Sequence, residues 1–300
     1  MHQKFLFFIN PISGTANKLN LEKKIIGKCS EQNAIFQILY TSEDGNYSFL
    51  PEKIHNDAIT DIIICGGDGS LRPVISTVLN TKKVNIGIIP LGSGNGLAFT
   101  AKIPRSVDKA LDVIFKGKTS CVDAFFINGN LSCMLCGIGL DAQVAYDFSL
   151  QQRRGLTTYI KQSFKNFITA SPYHFELKVQ GIQFKTDAYF ICIANSNQFG
   201  NNFTIAPQAS LNDGLLDIIV VKKMNKAKIV WSVLMQMKAG KTSRYNEKDF
   251  HNKDILYFQT DKLQISNPQM APLHIDGDHM PTNKKFDIEV LPSAFHLLIP

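Results

Sequence analysis

Three hundred residues, 44% of them hydrophobic and 19% charged, give a globular chain with ample apolar material for a core. That balance excludes a collagen-like or mainly disordered protein, and no run reaches the roughly 18 uncharged apolar residues of a bilayer-spanning helix. A formal charge of +7 favours anionic partners such as nucleotides, phospholipid surfaces or nucleic acid.

The opening MHQKFLFFINPISG has a short apolar run and no small-residue cleavage site, so it reads as a first strand over 4–10 and not as a signal peptide. Next come a helix over 17–32, a strand over 34–41, and a strand over 61–65 that runs into Gly66-Gly67-Asp68-Gly69. A helix over 71–80 follows, with Ser70 as N-cap and Pro73 in the first turn, where proline is tolerated. A strand over 84–89 and helices over 96–103 and 106–117 complete this half. Strands alternating with helices predict a mostly parallel sheet covered by helices.

The pattern changes abruptly within 117–125. DAFFING, LSCMLCGIG, HFELKVQ, IQFKTD, AYFICIAN, LLDIIVV, ILYF, KLQIS, LHID, KKFDIEVL and FHLLIP are short apolar or alternating runs with turns between them. They predict an antiparallel sandwich or barrel, interrupted by helices over 156–170 and 225–241. Six scattered cysteines do not form a secreted disulfide framework, and the Cys133-x-x-Cys136 pair has no second pair to complete a zinc site. They read as thiols in buried strands of a cytoplasmic protein.

Three loops carry the chemistry. Gly66-Gly67-Asp68-Gly69-Ser70 follows a strand and opens a helix; its glycines let backbone approach phosphate oxygens, and the helix start aims N–H groups at the anion. Asp68 can hold Mg²⁺ or orient a hydroxyl. No Lys follows at Walker A spacing. Pro90-Leu91-Gly92-Ser93-Gly94-Asn95-Gly96 repeats the arrangement after the next strand, and Asn10-Pro11-Ile12-Ser13-Gly14 ends the first. Ligands of open α/β sheets bind at such strand ends, so the three loops predict a nucleotide site.

Two further features are ambiguous. His274-Ile275-Asp276-Gly277-Asp278-His279 reads as a strand end with exposed His, in preference to a transition-metal site; unbroken strand alternation would put 274, 276 and 278 on one face. The basic segments 151–171 and 222–244 fit either an anionic membrane surface or an ordinary solvated helix face.

In this order and at these spacings, NPISG, GGDGS and PLGSGN resemble the diacylglycerol kinase catalytic-domain superfamily, which includes soluble bacterial diacylglycerol kinases and sphingosine and ceramide kinases. Gly137-Ile138-Gly139-Leu140-Asp141-Ala142 is similar to the family's GxGFDA. Asn195 and the run Ala206 to Asp217 resemble its N…APxAxxxDGxLD segment, and Asp276-Gly277-Asp278 stands at its DGE. The resemblance implies an α/β nucleotide-binding domain over 1–121 and an antiparallel β-sandwich lipid-substrate domain over 122–300, with the last strand packing back on the first domain and the active site in the cleft between the two. It implies transfer of the ATP γ-phosphoryl group to a lipid hydroxyl with Mg²⁺.

By position, ATP contacts fall to Asn10, Gly14, Thr41, Gly66, Gly67, Asp68, Gly69, Ser70, Leu71, Arg72 and Ser93. Asp213 with the carbonyls of Ser210 and Leu215 would take the metal, Asp276 would be the general base, and Asp68 would act through water and Mg²⁺ or compete as base. Asp68→Asn and Asp276→Asn are each expected to abolish transfer with the fold intact. Arg72, Pro73, Gly96, Asn201, Asn202 and Asp278 depart from the family pattern, and the Asp-less GSGN loop looks more like the sphingosine and ceramide branch. The expected partners are a membrane lipid substrate, an anionic membrane surface contacted peripherally, and a second copy of the chain in a homodimer, with no nucleic acid. The alternatives are an NAD kinase and a non-catalytic nucleotide- or lipid-binding regulator.

Overall fold

The structure is a computed structural model and describes residues 3–14, 18–42, 45–79, 81, 84–149, 166–167, 169–200, 203–225 and 254–300. The helices expected over 156–170 and 225–241, the basic segments for most of their length, and Asn201 and Asn202 lie outside the described residues. The chain divides into two units, Met1–Asp123 with Pro292–Pro300, and Ala124–Leu291.

The N-terminal unit is built on β1 (Lys4–Ile9), α1 (Lys18–Glu31), β2 (Ile35–Tyr40), α2 (Leu50–Asn56), β3 (Asp61–Gly66), α3 (Leu71–Val78), β4 (Asn85–Pro90), α4 (Gly96–Thr100) and α5 (Val107–Lys116). Its strands are parallel in the order β2-β1-β3-β4. The sequence of each strand fits its place in this order. KFLFFI, DIIICG and NIGIIP are near-continuous apolar runs suited to strands covered on both faces, whereas IFQILY is alternately exposed and serves as the edge.

The C-terminal unit comprises the end of β5 (Thr119–Ile127), then β6 (Asn130–Ser132), β7 (Leu135–Gly139), α6 (Leu140–Ser149), β8 (Tyr173–Val179), β9 (Ile182–Ala194), β10 (Gln198–Gly200), β11 (Phe203–Thr204), β12 (Leu216–Lys222), β13 (Ile255–Thr260), β14 (Lys262–Ser266), β15 (Leu273–Ile275), β16 (Asp278–Met280) and most of β17 (Lys285–Leu298). Two antiparallel layers share β9. Its second half pairs with β7 and β12, continuing to β15, β16 and β13; its first half pairs with β8, continuing to β14 and β17. Phe125, Phe175, Leu177, Ile191, Ile193, Ile218, Val220, Ile265, Phe286 and Ile288 fill one core between the layers, which makes this unit a β-sandwich. Beyond Pro292, β17 belongs to the N-terminal unit, where His296 and Leu297 pair in parallel with Asn85 and Ile86 of β4.

Four local expectations are corrected. IQFKTD and AYFICIAN are one strand: nothing between Asp187 and Ala188 can turn the chain, and the change in pattern there marks the passage from a half-exposed to a buried stretch. KKFDIEVL and FHLLIP are also one strand, with Pro292 inside it; Ser293, at φ +51°, donates its N–H to Asp123 Oδ1 at 2.7 Å. LSCMLCGIG is split between β6 and β7. Ser70 does not cap α3 with its side chain; a 3₁₀ turn, Asp68–Ser70, precedes that helix. Among the described residues the six cysteines are unbridged, and five are buried. No described helix is long and apolar enough to cross a membrane.

Candidate active site

Because β1 to β4 are parallel, their C-terminal ends lie along one rim and deliver Asn10–Gly14, Thr41, Gly66–Ser70 and Leu91–Asn95 to it together. The glycines fit by close approach. A Cβ on Gly14, itself at φ +66°, would stand 2.3 Å from the Leu91 carbonyl oxygen, and one on Gly92 would stand 2.5 Å from Gly67 Cα. The first and second loops therefore each abut the third. Side chains lock the contact: Asn10 Nδ2 donates to Ser70 Oγ at 2.9 Å, and Asn10 Oδ1 accepts the N–H groups of Ile12 and Ser13. Asn95, held at φ +58°, exchanges hydrogen bonds with both the N–H and the carbonyl of Gly92. Asp68 Oδ2 accepts the Gly96 N–H at 3.0 Å, at the start of α4. The rim thus presents rigid, glycine-lined backbone with one carboxylate set among it.

Not every predicted contact offers a side chain. Leu71 is buried in the core face of α3, so it can present only backbone. Ser70 is buried with its hydroxyl engaged by Asn10; Arg72 and Thr41 are half-buried, and Gly69 and Ser93 are exposed. Lys18 was not anticipated. From the first residue of α1 its Nζ donates to the Ser13 carbonyl, and partial burial lowers its pKa. Its place as the first residue of the helix after NPISG was the available signal, one of four lysines in that helix.

In the C-terminal unit, Asp276 and Gly277 form the two-residue turn between β15 and β16, with φ +52° and +90°. The Asp276 carboxylate, 6% exposed, faces inward. Oδ1 accepts Ser132 Oγ at 2.7 Å and the N–H groups of Met134 and Leu135 at 3.0 and 3.1 Å; Oδ2 accepts the Cys133 N–H at 3.0 Å. These bonds hold residues 133 and 134 out of the ladder between β6 and β7, which is why LSCMLCGIG is not one strand. Burial raises the Asp276 pKa against the opposing pull of its four donors.

The same turn corrects the reading of HIDGDH. His274 and Asp278 lie on different strands; His274 is buried and His279 exposed, so 274, 276 and 278 do not share a face. No cluster of three metal-ligating His, Cys, Asp or Glu occurs among the described residues.

Asp213 is exposed in a turn closed by the Leu215 N–H to Asp213 Oδ1 at 3.1 Å, with Gly214 at φ +72°. Ser210 and Leu215 are half-buried on either side of it. The carbonyls of 210 and 215 with this carboxylate would offer oxygen alone, which is the donor type a hard divalent cation takes. Below this turn Asp217 is fully buried, bonded to Tyr257 Oη and to Gln259 Nε2, and Tyr257 Oη in turn accepts the Gln208 N–H.

Burial pushes the Asp217 pKa from 3.8 up to about 6. Between these values the folded chain holds a proton that the unfolded chain has released, so stability falls as pH rises through that window, by on the order of 2–3 kcal/mol. Urea unfolding at pH 4 to 7 should show this slope, and Asp217→Asn should flatten it.

Residues 4–127 match the family model described as the diacylglycerol kinase catalytic domain. Residues 135–299, more than half of the chain, match the model described as the YegS C-terminal NAD kinase beta sandwich-like domain. The chain belongs to the YegS-like lipid kinase family.

Membership makes it a kinase of the lipid kinase class, as its motifs implied. It is 28% identical to the "probable lipid kinase YegS-like" of Shewanella frigidimarina over 258 residues, 84% of this chain and 80% of that one. It is 24% identical to the "probable lipid kinase YegS" of Escherichia coli O17:K52:H18 over 276 residues, 90% and 88% of the two chains. A crystal structure of a diacylglycerol kinase from Bacillus anthracis strain Sterne superposes with a TM-score of 0.76 at 20% identity, covering 99% of this chain and 97% of that chain; a second chain from the same organism gives 0.80 at 22%. These structures establish the shared fold. In this YegS-type kinase the first three family motifs form the rim loops of the parallel sheet, and GIGLDA, the 206–217 segment and DGD lie in the sandwich unit.

Proposed function

We propose that the chain is an ATP- and Mg²⁺-dependent lipid kinase that transfers the γ-phosphoryl group of ATP to a lipid hydroxyl. The observation that carries this reading is the rim of three mutually packed glycine loops with Asp68 among them. Backbone N–H groups of Gly14, Gly67–Gly69 and Ser93–Asn95 hold the triphosphate, with the Lys18 ammonium adding attraction at the first loop. Thr41, Leu71, Arg72 and Ser93 complete the nucleotide contacts.

Asp213 and the carbonyls of Ser210 and Leu215 would hold Mg²⁺, which would supply charge neutralisation on the transferring group. Asp68 acts on that charge through water. Asp276 accepts the alcohol proton through Oδ2, the oxygen with a single donor among the described residues; a carboxyl raised by burial is better matched to this task than an ordinary one. The kinase works at the cytoplasmic face of the membrane, docking peripherally through its basic segments 151–171 and 222–244.

The test is a screen of [γ-³²P]ATP and Mg²⁺ against diacylglycerol, sphingoid bases, ceramide and phosphatidylglycerol in phosphatidylglycerol vesicles, with NAD⁺ as a soluble arm. Label in one lipid class that needs the divalent ion is the expected result. Label in NAD⁺ alone, or ATP binding with no transfer, would overturn it.

A further inference from the structure

Beside the Asp276–Gly277 turn lies a buried pair whose geometry is set by the sequence around it. His274 is 2% exposed and Asp141 8%, and His274 Nε2 stands 3.5 Å from Asp141 Oδ2. The other ring nitrogen, Nδ1, accepts the Gly277 N–H at 3.2 Å, which places the imidazole proton on Nε2, toward Asp141. Asp141 is the second residue of α6 and bonds the Ala142 N–H through Oδ1. Gly137 faces His274 across the β7–β15 ladder, and a Cβ there would fall 1.8 Å from Asp141 Oδ2 and 2.5 Å from His274 Nε2. The glycine therefore makes the room in which a carboxylate can reach over the strand to the ring.

From this arrangement we infer that His274 and Asp141 are positioning residues for Asp276, a role that rests on Asp276 being the base. The turn residue next to Asp276 has its N–H tied to His274 Nδ1, and the buried Asp141 carboxylate, 3.5 Å from Nε2, favours the tautomer that carries the ring proton there. The Asp276 carboxylate is thus gripped from two sides, by residues 132–135 at its oxygens and by the imidazole at its turn. An Asp-Gly hairpin would close without a histidine. A buried ring aimed into the turn fixes the direction of the carboxylate more tightly than closure alone requires, and a misplacement of about 1 Å at a reacting group costs roughly 100-fold in rate.

The experiment compares His274→Gln, His274→Asn and Asp276→Asn, using [γ-³²P]ATP, Mg²⁺ and phosphatidylglycerol vesicles containing diacylglycerol or ceramide, with rates normalised to the folded fraction. Asn places its Oδ1 near the position of Nδ1 and can accept the Gly277 N–H; Gln cannot. His274→Gln should lower kcat about 10- to 100-fold with the KM for ATP unchanged and speed exchange of the Gly277 amide, while His274→Asn restores both. In the wild type, ¹⁵N NMR should show the His274 proton on Nε2.

Equal kcat in His274→Gln and wild type, with Asp276→Asn inactive, would overturn the positioning role and leave the base in place, as would equal losses in both His274 variants. Turnover in folded Asp276→Asn would overturn the base assignment and the positioning role with it. A proton found on Nδ1 would overturn the geometry directly.

Discussion

Replacing Asp68 with Asn should lower kcat about 10²- to 10⁴-fold while leaving the thermal midpoint and the KM for ATP close to wild type. The separation follows from what each part of the side chain does. Oδ2 accepts the Gly96 N–H at 3.0 Å, a bond an amide oxygen can take over, so the second and third loops stay joined. What disappears is the negative charge, which acts only when triphosphate and divalent ion are present. Steady-state kinetics beside a melting curve check both halves. Full turnover in the variant would remove Asp68 from the chemistry.

Asp276 should behave differently, and here the structure alters the expectation that Asn would leave the fold intact. Three donors converge on Oδ1 and one on Oδ2. An amide satisfies the first group with its oxygen and then points its own N–H at the Cys133 N–H, so Asp276→Asn should cost about 1–3 kcal/mol. Asp276→Ala strands all four donors and leaves, in a left-handed turn that favours Asn, Asp or Gly, a residue without the polar side chain that makes the conformation tolerable. Its loss should be at least about 4 kcal/mol, a large share of the 5–15 kcal/mol typical of a folded chain. Denaturant midpoints for the three forms should fall in the order Asp, Asn, Ala. An Ala variant as stable as wild type would contradict the inward-facing carboxylate.

The parts of this molecule that were legible in sequence are those governed by local rules. KFLFFI, DIIICG and NIGIIP announce themselves as buried parallel strands because nothing polar interrupts their inner residues, and the glycines that follow them mark where the rim loops must be. The family was legible from its motifs in the same way. Features set by contacts distant in sequence were not. Ser70 looks like a helix cap until Asn10, 60 residues earlier, claims its hydroxyl. The break within LSCMLCGIG is caused by a carboxylate more than 140 residues away, and α2 lacks an N-capping side chain to announce it. Asp141 and His274 meet only because β7 and β15 pair.

The central claim is that glycine loops on the rim of the parallel sheet bind the triphosphate of ATP. Backbone amide chemical shifts recorded while Mg²⁺–ATP is titrated into the full chain test it most directly. Shifts concentrated at residues 12–14, 66–70 and 92–96 are predicted. Binding that leaves those amides unmoved and shifts others instead would contradict the account.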